Sequence, residues 1–170
     1  KVNLVQYFLA FMLYSIIGWA YETALYTVQE GRYISSGFLK GPYCPIYGGG
    51  AVAMVFCFYG RTDNSWVIFF GGMAIATIIE YLVAVILENC FHKKWWDYSS
   101  KRWNLDGYIC LQYSVVWGIL GVLSVKFVTP VLMKLYHMVP SFMMQIALWA
   151  LFGVLIIDIL GSTYIIRGSV

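Results

Sequence analysis

The chain has 170 residues, of which 61% are hydrophobic, 19% aromatic and only 11% charged, and its mean hydropathy is +0.74. This is too little polar surface to cover a water-soluble globule. The composition therefore excludes a soluble enzyme or binding module and predicts an integral membrane protein. The formal net charge of +3 does not indicate a nucleic-acid partner.

Four apolar runs are long enough to cross a bilayer, which takes about 20 residues per helix. They cover residues 4–27, 66–87, 108–128 and 142–166, and a fifth, shorter run over residues 43–59 is rich in glycine. We therefore predict an all-α fold, a polytopic membrane helical bundle of about five transmembrane helices in a single domain over residues 1–170.

Basic residues in the predicted connections indicate the orientation, because cytoplasmic loops carry an excess of Lys and Arg. Seven lie on one side and four on the other, which predicts that the N-terminus is outside. The larger group is Arg32, Lys40, Lys93, Lys94, Lys101, Arg102 and Arg167, and the smaller is Lys1, Arg61, Lys126 and Lys134.

The first two pairs of runs share a pattern at an offset of 66 residues. L-x-G-x-x-C-x-x-Y occurs at residues 39–47 and 105–113, and Glu22 falls on Glu88 without a gap. We predict a duplicated two-helix unit, with repeat A at about 4–60, repeat B at about 70–126 and a fifth helix at about 142–166 that braces the pair. Such copies have the same topology, so Glu22 and Glu88 are predicted to face one side and to contribute to one site.

Residues 38–50 read FLKGPYCPIYGGG, with four glycines and two prolines. Two interpretations stay open. Either this is a broken helix entry that directs backbone amides at a ligand, or it is a plain loop followed by a helix that packs closely through its glycines.

Four acids fall within or at the ends of the runs: Glu22, Glu80, Glu88 and Asp158. An ionised carboxylate at bilayer depth costs at least about 2.5 kcal/mol, so each is predicted to face a polar cavity or a partner. Glu80 and Glu88 share a helix face about 12 Å apart along the axis. The alternative is structural ion pairing with Arg32, Lys40, Lys101 or Arg102.

The longest polar stretch covers residues 91–108, FHKKWWDYSSKRWNLDGY, and suits the membrane interface. A second hypothesis is that Asp97, Asn104 and Asp106 hold a ligand between tryptophan walls. The sequence has no phosphate-binding loop and no zinc motif. We therefore predict no cofactor or metal, and any ATP hydrolysis would have to come from a separate ATPase subunit.

The stretches SSGFLKGPYCPIYGGGA, WWDYSSKRWNLDGYICLQYSVVWGILG and GWAYET resemble the bacterial family of putative ABC-transporter type IV, or CmpB-like, membrane proteins. The resemblance covers Tyr14 to Gly121. The family commonly has Asn-Arg before the Gly-Phe pair, where this chain has Ser35 and Ser36. The resemblance and the constellation above together imply a set of ligand-binding residues: Glu22, Gly41, Pro42, Pro45, Tyr47, Glu80, Glu88, Trp96, Asp97, Tyr98, Asn104 and Trp117.

The resemblance and the intramembrane acids favour a permease-like transport component of the bacterial plasma membrane, moving or binding a small solute. We predict the lipid bilayer as its environment, with a separate ATPase and a second copy of the chain as candidate partners. Two alternatives stay open: an interfacial membrane enzyme or lipid-handling protein that uses the clustered carboxylates, or an accessory subunit of a membrane complex.

Overall fold

The computed structural model describes residues 2–168 and is built almost entirely of α-helices. In chain order these are α1 (Leu4–Glu30), α2 (Pro45–Phe58), α3 (Ser65–Phe91), α4 (Leu111–Leu123), α5 (Thr129–Met138) and α6 (Ser141–Gly168). Two short antiparallel strands, β1 (Asn104–Leu105) and β2 (Ile109–Cys110), pair between α3 and α4. The predicted all-α fold is confirmed.

Within residues 2–168, four stretches of helix are long and apolar enough to cross a membrane: Leu4–Glu30, Ser65–Phe91, Leu111–Met138 and Ser141–Ile166. The fifth predicted span is different. Its helix, α2, has 14 residues and is therefore roughly 21 Å long, which is less than the roughly 30 Å of a hydrocarbon core.

The third long helix extends ten residues beyond the predicted end at Val128, because α4 continues through a π-helical turn, Ser124–Val128, into α5. Pro130 would normally break a helix, since its ring clashes with the carbonyl of the preceding turn. The π turn lies directly before it, with the Thr129 amide donating to the Ser124 carbonyl oxygen, and such widened turns accommodate irregular residues. Lys134 and His137 therefore lie in a helix, not in the predicted connection.

Asparagine caps begin two of the spanning helices. At the start of α1, the Asn3 side chain accepts from the Gln6 backbone amide, and the Gln6 side chain accepts from the Asn3 backbone amide, which forms a capping box. At the start of α3, the Asn64 side chain accepts from the amides of Trp66 and Val67. Both helices end at residues in the left-handed region, Gly31 after α1 and His92 after α3.

The chain divides into two compact units, which we describe separately. Unit 1 comprises Lys1–Gly48 with Lys134–Val170, and unit 2 comprises Gly49–Met133. Of the charges used for the orientation prediction, Lys1 and the side chain of Arg167 lie outside the described part of the chain. The buried core of unit 1 is formed by Met12, Leu39, Tyr43 and Leu155. That of unit 2 is formed by Met54, Ile68, Ala76 and Val125.

Small residues let α3 and α4 approach closely within unit 2. A Cβ atom on Gly118 would lie 2.9 Å from the Phe69 carbonyl oxygen, and one on Gly72 would lie 3.7 Å from the Gly121 Cα. Backbone contact of this kind allows dispersion forces to hold helices together in lipid, where the hydrophobic effect between them is weak.

Candidate functional site

The segment between α1 and α2 in unit 1 is not helical and runs back along α1 at membrane depth. Three of its amides donate to acceptors in α1 at Thr27, Thr23 and Ser15. These acceptors extend over twelve residues, which is roughly 18 Å along the helix axis. Buried backbone is tolerated in a membrane only where protein or water satisfies it, and α1 does so here. The donors and acceptors are Ile34 N to Thr27 Oγ1 (3.3 Å), Ser36 N to Thr23 Oγ1 (3.1 Å) and Cys44 N to the Ser15 carbonyl oxygen (2.8 Å).

This segment explains the glycines and prolines of residues 38–50. Pro42 lies in a bend that is closed by the Tyr43 amide donating to the Gly41 carbonyl oxygen (2.8 Å). Pro45 opens α2, where a missing amide hydrogen costs nothing because the first turn has no acceptor for it. The structure therefore combines features of both interpretations: a non-helical stretch inside the membrane, then a short helix that packs closely on α1 through Gly48.

Glu22 lies in α1 and is held by two hydroxyl groups of this returning chain. The Tyr47 hydroxyl donates to Oε1 over 2.8 Å, and the Ser36 hydroxyl donates to Oε2. Gly18, one turn earlier on the same face of α1, leaves room for the Tyr47 ring, because a Cβ atom there would overlap it. Both donors are neutral, so the carboxylate is held by hydrogen bonds from hydroxyls. Ser36 stands where the resembled family commonly has arginine.

Cys44 lies beside this carboxylate and is buried. Burial keeps reagents in solution away from the Cys44 thiol, so Cys44 is expected to be unreactive in the folded protein.

We therefore expect a variant that retains only Cys44 to react with maleimide at pH 8 far more slowly than one that retains only Cys90, whose side chain is exposed. Denaturation should abolish the difference. Equal rates in the folded protein would contradict the burial of Cys44.

Asp158 of α6 forms the second polar centre of unit 1. One carboxylate oxygen accepts from the Gly41 amide (2.8 Å) and the Tyr43 hydroxyl (2.7 Å). The other accepts from the Lys40 amide (3.2 Å) and the Ser162 hydroxyl (2.9 Å). The segment between α1 and α2 thus directs two consecutive amides, those of Lys40 and Gly41, at a carboxylate of the same chain.

Glu80 is the buried acid of unit 2, with only 3% of its surface exposed in the middle of α3. The Tyr98 hydroxyl donates to Oε1 (3.1 Å), and the Trp117 indole nitrogen donates to Oε2 (3.0 Å). Tyr98 comes from the loop before α4 and also stacks on Tyr113, with ring centroids 4.7 Å apart. Three predicted site residues, Glu80, Tyr98 and Trp117, are therefore in direct contact.

Two other predicted site residues organise the loop before α4. The Asp97 carboxylate accepts from the amide and the hydroxyl of Ser99, which lowers the pKa of Asp97. The Asn104 side chain donates to the Lys101 carbonyl oxygen (2.7 Å) and accepts from the Gly107 amide (3.2 Å). Such local bonds are typical of turn-forming Asx residues.

The loop ends in a tight turn in which Asp106 and Gly107 both have positive φ, and the Tyr108 amide donates to the Leu105 carbonyl oxygen. This is the Asp-Gly chemistry that favours two-residue reversals. The predicted site residue Trp96 donates from its indole nitrogen to the Tyr108 carbonyl oxygen (2.9 Å) and fastens the loop to the turn.

Of the donors that hold the membrane acids in unit 1, Tyr47 and Gly41 were predicted site residues, and sequence reasoning missed several others. Ser36, Tyr43 and Ser162 were not among the predicted site residues. Ser162 alone had a usable signal, since it follows Asp158 by four residues and so shares its helix face. Nothing in the pattern linked Ser36 to Glu22.

The chain matches the model of the family described as Putative ABC-transporter type IV over residues 9–163. No curated protein and no solved structure matches it significantly. The family match covers most of the chain and includes both polar centres of unit 1 and the Glu80 centre of unit 2. The chain belongs to the CmpB-like, putative ABC-transporter type IV family of membrane proteins.

Proposed function

We propose that the protein is a permease-like transport component that binds or moves a small solute at polar centres inside the bilayer. One observation carries the proposal: Glu22 and Glu80 lie in spanning helices, and each accepts from a tyrosine hydroxyl that belongs to a different segment. Acids at this depth are costly and usually mark a solute or ion pathway. In this proposal a solute or water takes the place of the neutral hydroxyl donor.

Matching contacts in the two predicted repeats support a duplicated unit. A Cβ atom on Gly48 would overlap the Phe11 carbonyl oxygen, so α2 touches α1 there. At the offset of 66, Gly48 corresponds to Ser114 of α4, and Phe11 corresponds to Thr77 of α3. Ser114 and Thr77 are also in contact, with 2.8 Å between their hydroxyl oxygens. Transporters built from repeats place their sites on such duplicated elements. That Glu22 and Glu88 contribute to one site stays a prediction.

We further propose a separate ATPase as partner, a homo-oligomeric assembly and a location in the bacterial plasma membrane. The sequence has no phosphate-binding loop, and the family description refers to ABC transporters. The described part of the chain has four full-length spans, which is few for a solute pathway and favours more than one copy.

The enzyme or lipid-handling alternative uses the clustered carboxylates Glu22, Glu88 and Asp97 as acid, base or metal ligands. Glu22 is held by the hydroxyls of Ser36 and Tyr47, and Asp97 is held by Ser99 in a local turn. An accessory subunit would need no polar centre at membrane depth. The transport proposal accounts for Glu22 and Glu80 directly, and we therefore prefer it.

The first experiment extracts the tagged protein from its native membrane in lipid discs and identifies by mass spectrometry every protein and metabolite that remains bound. A stoichiometric ATPase together with a retained solute is the expected result. Recovery of a turned-over lipid or metabolite with no ATPase would instead support the interfacial enzyme.

Removing the charge of Glu22 and Glu80 should abolish solute retention. The variant Glu22→Gln/Glu80→Gln keeps the side-chain shape, so we expect at least a tenfold loss, as for one hydrogen bond to a charged group at about 1.5–3 kcal/mol. Glu30→Gln, an exposed acid at the end of α1, is the control. Unchanged retention in a correctly inserted double variant would remove both centres from the proposed function. The separate variant Glu22→Gln/Glu88→Gln tests the predicted shared site.

A further inference from the structure

The loop between α3 and α4 in unit 2 returns along α3 before α4 begins. Ile109, in the second strand of the loop, lines an apolar groove together with Thr77 of α3. Ser114 of α4 contacts the same Thr77, with 2.8 Å between their hydroxyl oxygens. Leu111, the first residue of α4, therefore lies about level with residue 80 of α3. That level is about seven residues, or roughly 10 Å, inside the apolar run that ends at Leu87.

Polar and charged residues of the loop accompany the chain to this depth. The Trp103 carbonyl oxygen accepts from the Leu111 amide (3.1 Å), so Trp103 lies beside the start of α4. Lys101, Arg102 and Asn104 are within two residues of Trp103, and all three are exposed. The Asn104 side chain donates to the Lys101 carbonyl oxygen (2.7 Å), which keeps these residues together. The loop thus carries two basic residues and an amide to a level at which a bilayer around α3 would have hydrocarbon.

Water suits these groups better than lipid or protein does. A basic side chain in lipid is costly, and non-helical backbone at this depth is tolerated only against protein or water. A second copy of the chain is a poor cover, because charged residues are depleted from the cores of protein interfaces. Gln112, in the first turn of α4, is also polar and exposed. The exposed polar surface therefore extends from the loop into α4.

The same loop reaches the buried acid of unit 2. The Tyr98 hydroxyl donates to Glu80 Oε1 (3.1 Å), and Glu80 exposes only 3% of its surface. Tyr98 comes just before the exposed residues of the loop in the chain. Tyr98 therefore links the exposed part of the loop to the acid inside the helix pair.

We propose that residues 98–112 line a water-filled entrance that reaches from one side of the membrane to the middle of α3 and ends at Tyr98 and Glu80. The opposite face of α3 is apolar and suits lipid. Ile78 lies on that face with 59% of its surface exposed, at about the same depth as Gln112. The proposal concerns access of water alone and does not depend on transport of a solute.

The test measures labelling of cysteines by a membrane-impermeant methanethiosulfonate reagent, added to one side of native membrane vesicles at a time. The background carries Cys57→Ser and Cys90→Ser, which remove the two exposed cysteines. The thiolate is the reactive species and a thiol in lipid does not ionise, so Gln112→Cys should react at least about tenfold faster than Ile78→Cys, and from one side only. Lys93→Cys, at an exposed position just beyond α3, should react from the same side and is the positive control.

Two labelling results would overturn the proposal. If Lys93→Cys reacts and Gln112→Cys does not, the loop is dry at this depth. If Gln112→Cys and Ile78→Cys react equally, this part of α3 lies outside the bilayer and the loop is an ordinary interfacial segment. A second pair of variants needs no reagent: Gln112→Glu should leave the melting temperature in lipid discs unchanged, whereas Ile78→Glu should lower it. Equal effects of the two glutamates would also contradict water at Gln112 and lipid at Ile78.

Discussion

Replacement of Asp158 by alanine is expected to cause the largest loss of stability of any single change in unit 1. The carboxylate accepts from the amides of Lys40 and Gly41 and from the hydroxyls of Tyr43 and Ser162. Tyr43 and Ser162 are buried, so water cannot fully replace the lost acceptor. A buried donor left unsatisfied costs about 1–3 kcal/mol, and with at least two affected we expect a loss of about 3 kcal/mol or more.

The measurement is thermal or denaturant unfolding of the purified variant in mild detergent, combined with hydrogen exchange of residues 38–44. Exchange at Lys40 and Gly41 should accelerate, because their amides lose their acceptor. Asp158→Asn retains one acceptor oxygen and should lie between the wild type and alanine. Asp63→Ala, at an exposed position between α2 and α3, should have no effect. If Asp158→Ala unfolds like Asp63→Ala, Asp158 does not hold the segment.

Adding a single methyl group to neighbouring glycines of α2 should have opposite effects. A Cβ atom on Gly48 would overlap the Ser15 hydroxyl and the Phe11 carbonyl oxygen of α1, whereas one on Gly49 meets nothing within 4 Å. Overpacking of this kind costs about 1–3 kcal/mol, and here a backbone atom must move. Gly49→Ala should instead stabilise α2, by up to about 1 kcal/mol from helix propensity.

The two alanine variants control for each other, because they differ only in which face of α2 receives the methyl group. Unfolding in detergent should shift down for Gly48→Ala and up for Gly49→Ala. Shifts of the same sign would show that propensity, not the contact with α1, governs this helix. Gly48→Ala should also weaken the Glu22 centre, since it displaces the turn that carries Tyr47.

The first of these predictions depends on the non-helical chain between α1 and α2 in unit 1. Its amides are satisfied by the side chains of Thr23 and Thr27, by the Ser15 carbonyl oxygen and by Asp158. A helix satisfies its own amides, but this segment needs acceptors from α1 and α6. It is consequently the part of unit 1 most sensitive to single polar substitutions.

The environment and most helices of this protein were predictable from the sequence because they depend on local composition. Runs of apolar residues long enough to cross a bilayer are helical almost by necessity, since a helix satisfies every backbone amide within the run. The CmpB-like membership follows from local motifs in the same way. Even so, the length of the third span was underestimated, because Pro130 ends helices in most contexts and the π turn before it is not visible in the residue pattern.

Most partners of the acids were decided by the tertiary structure. The sequence placed Glu22, Glu80 and Asp158 in helices, and their positions made a cavity or a cation the natural expectation. In the fold, the hydroxyls of Ser36 and Tyr47 donate to Glu22 instead. The Tyr98 hydroxyl and the Trp117 indole nitrogen donate to Glu80. Two backbone amides, those of Lys40 and Gly41, donate to Asp158. Each of these donors is distant in the chain from the acid it serves. Which donor reaches which carboxylate depends on how a segment returns along a helix, and a one-dimensional pattern contains no record of that path.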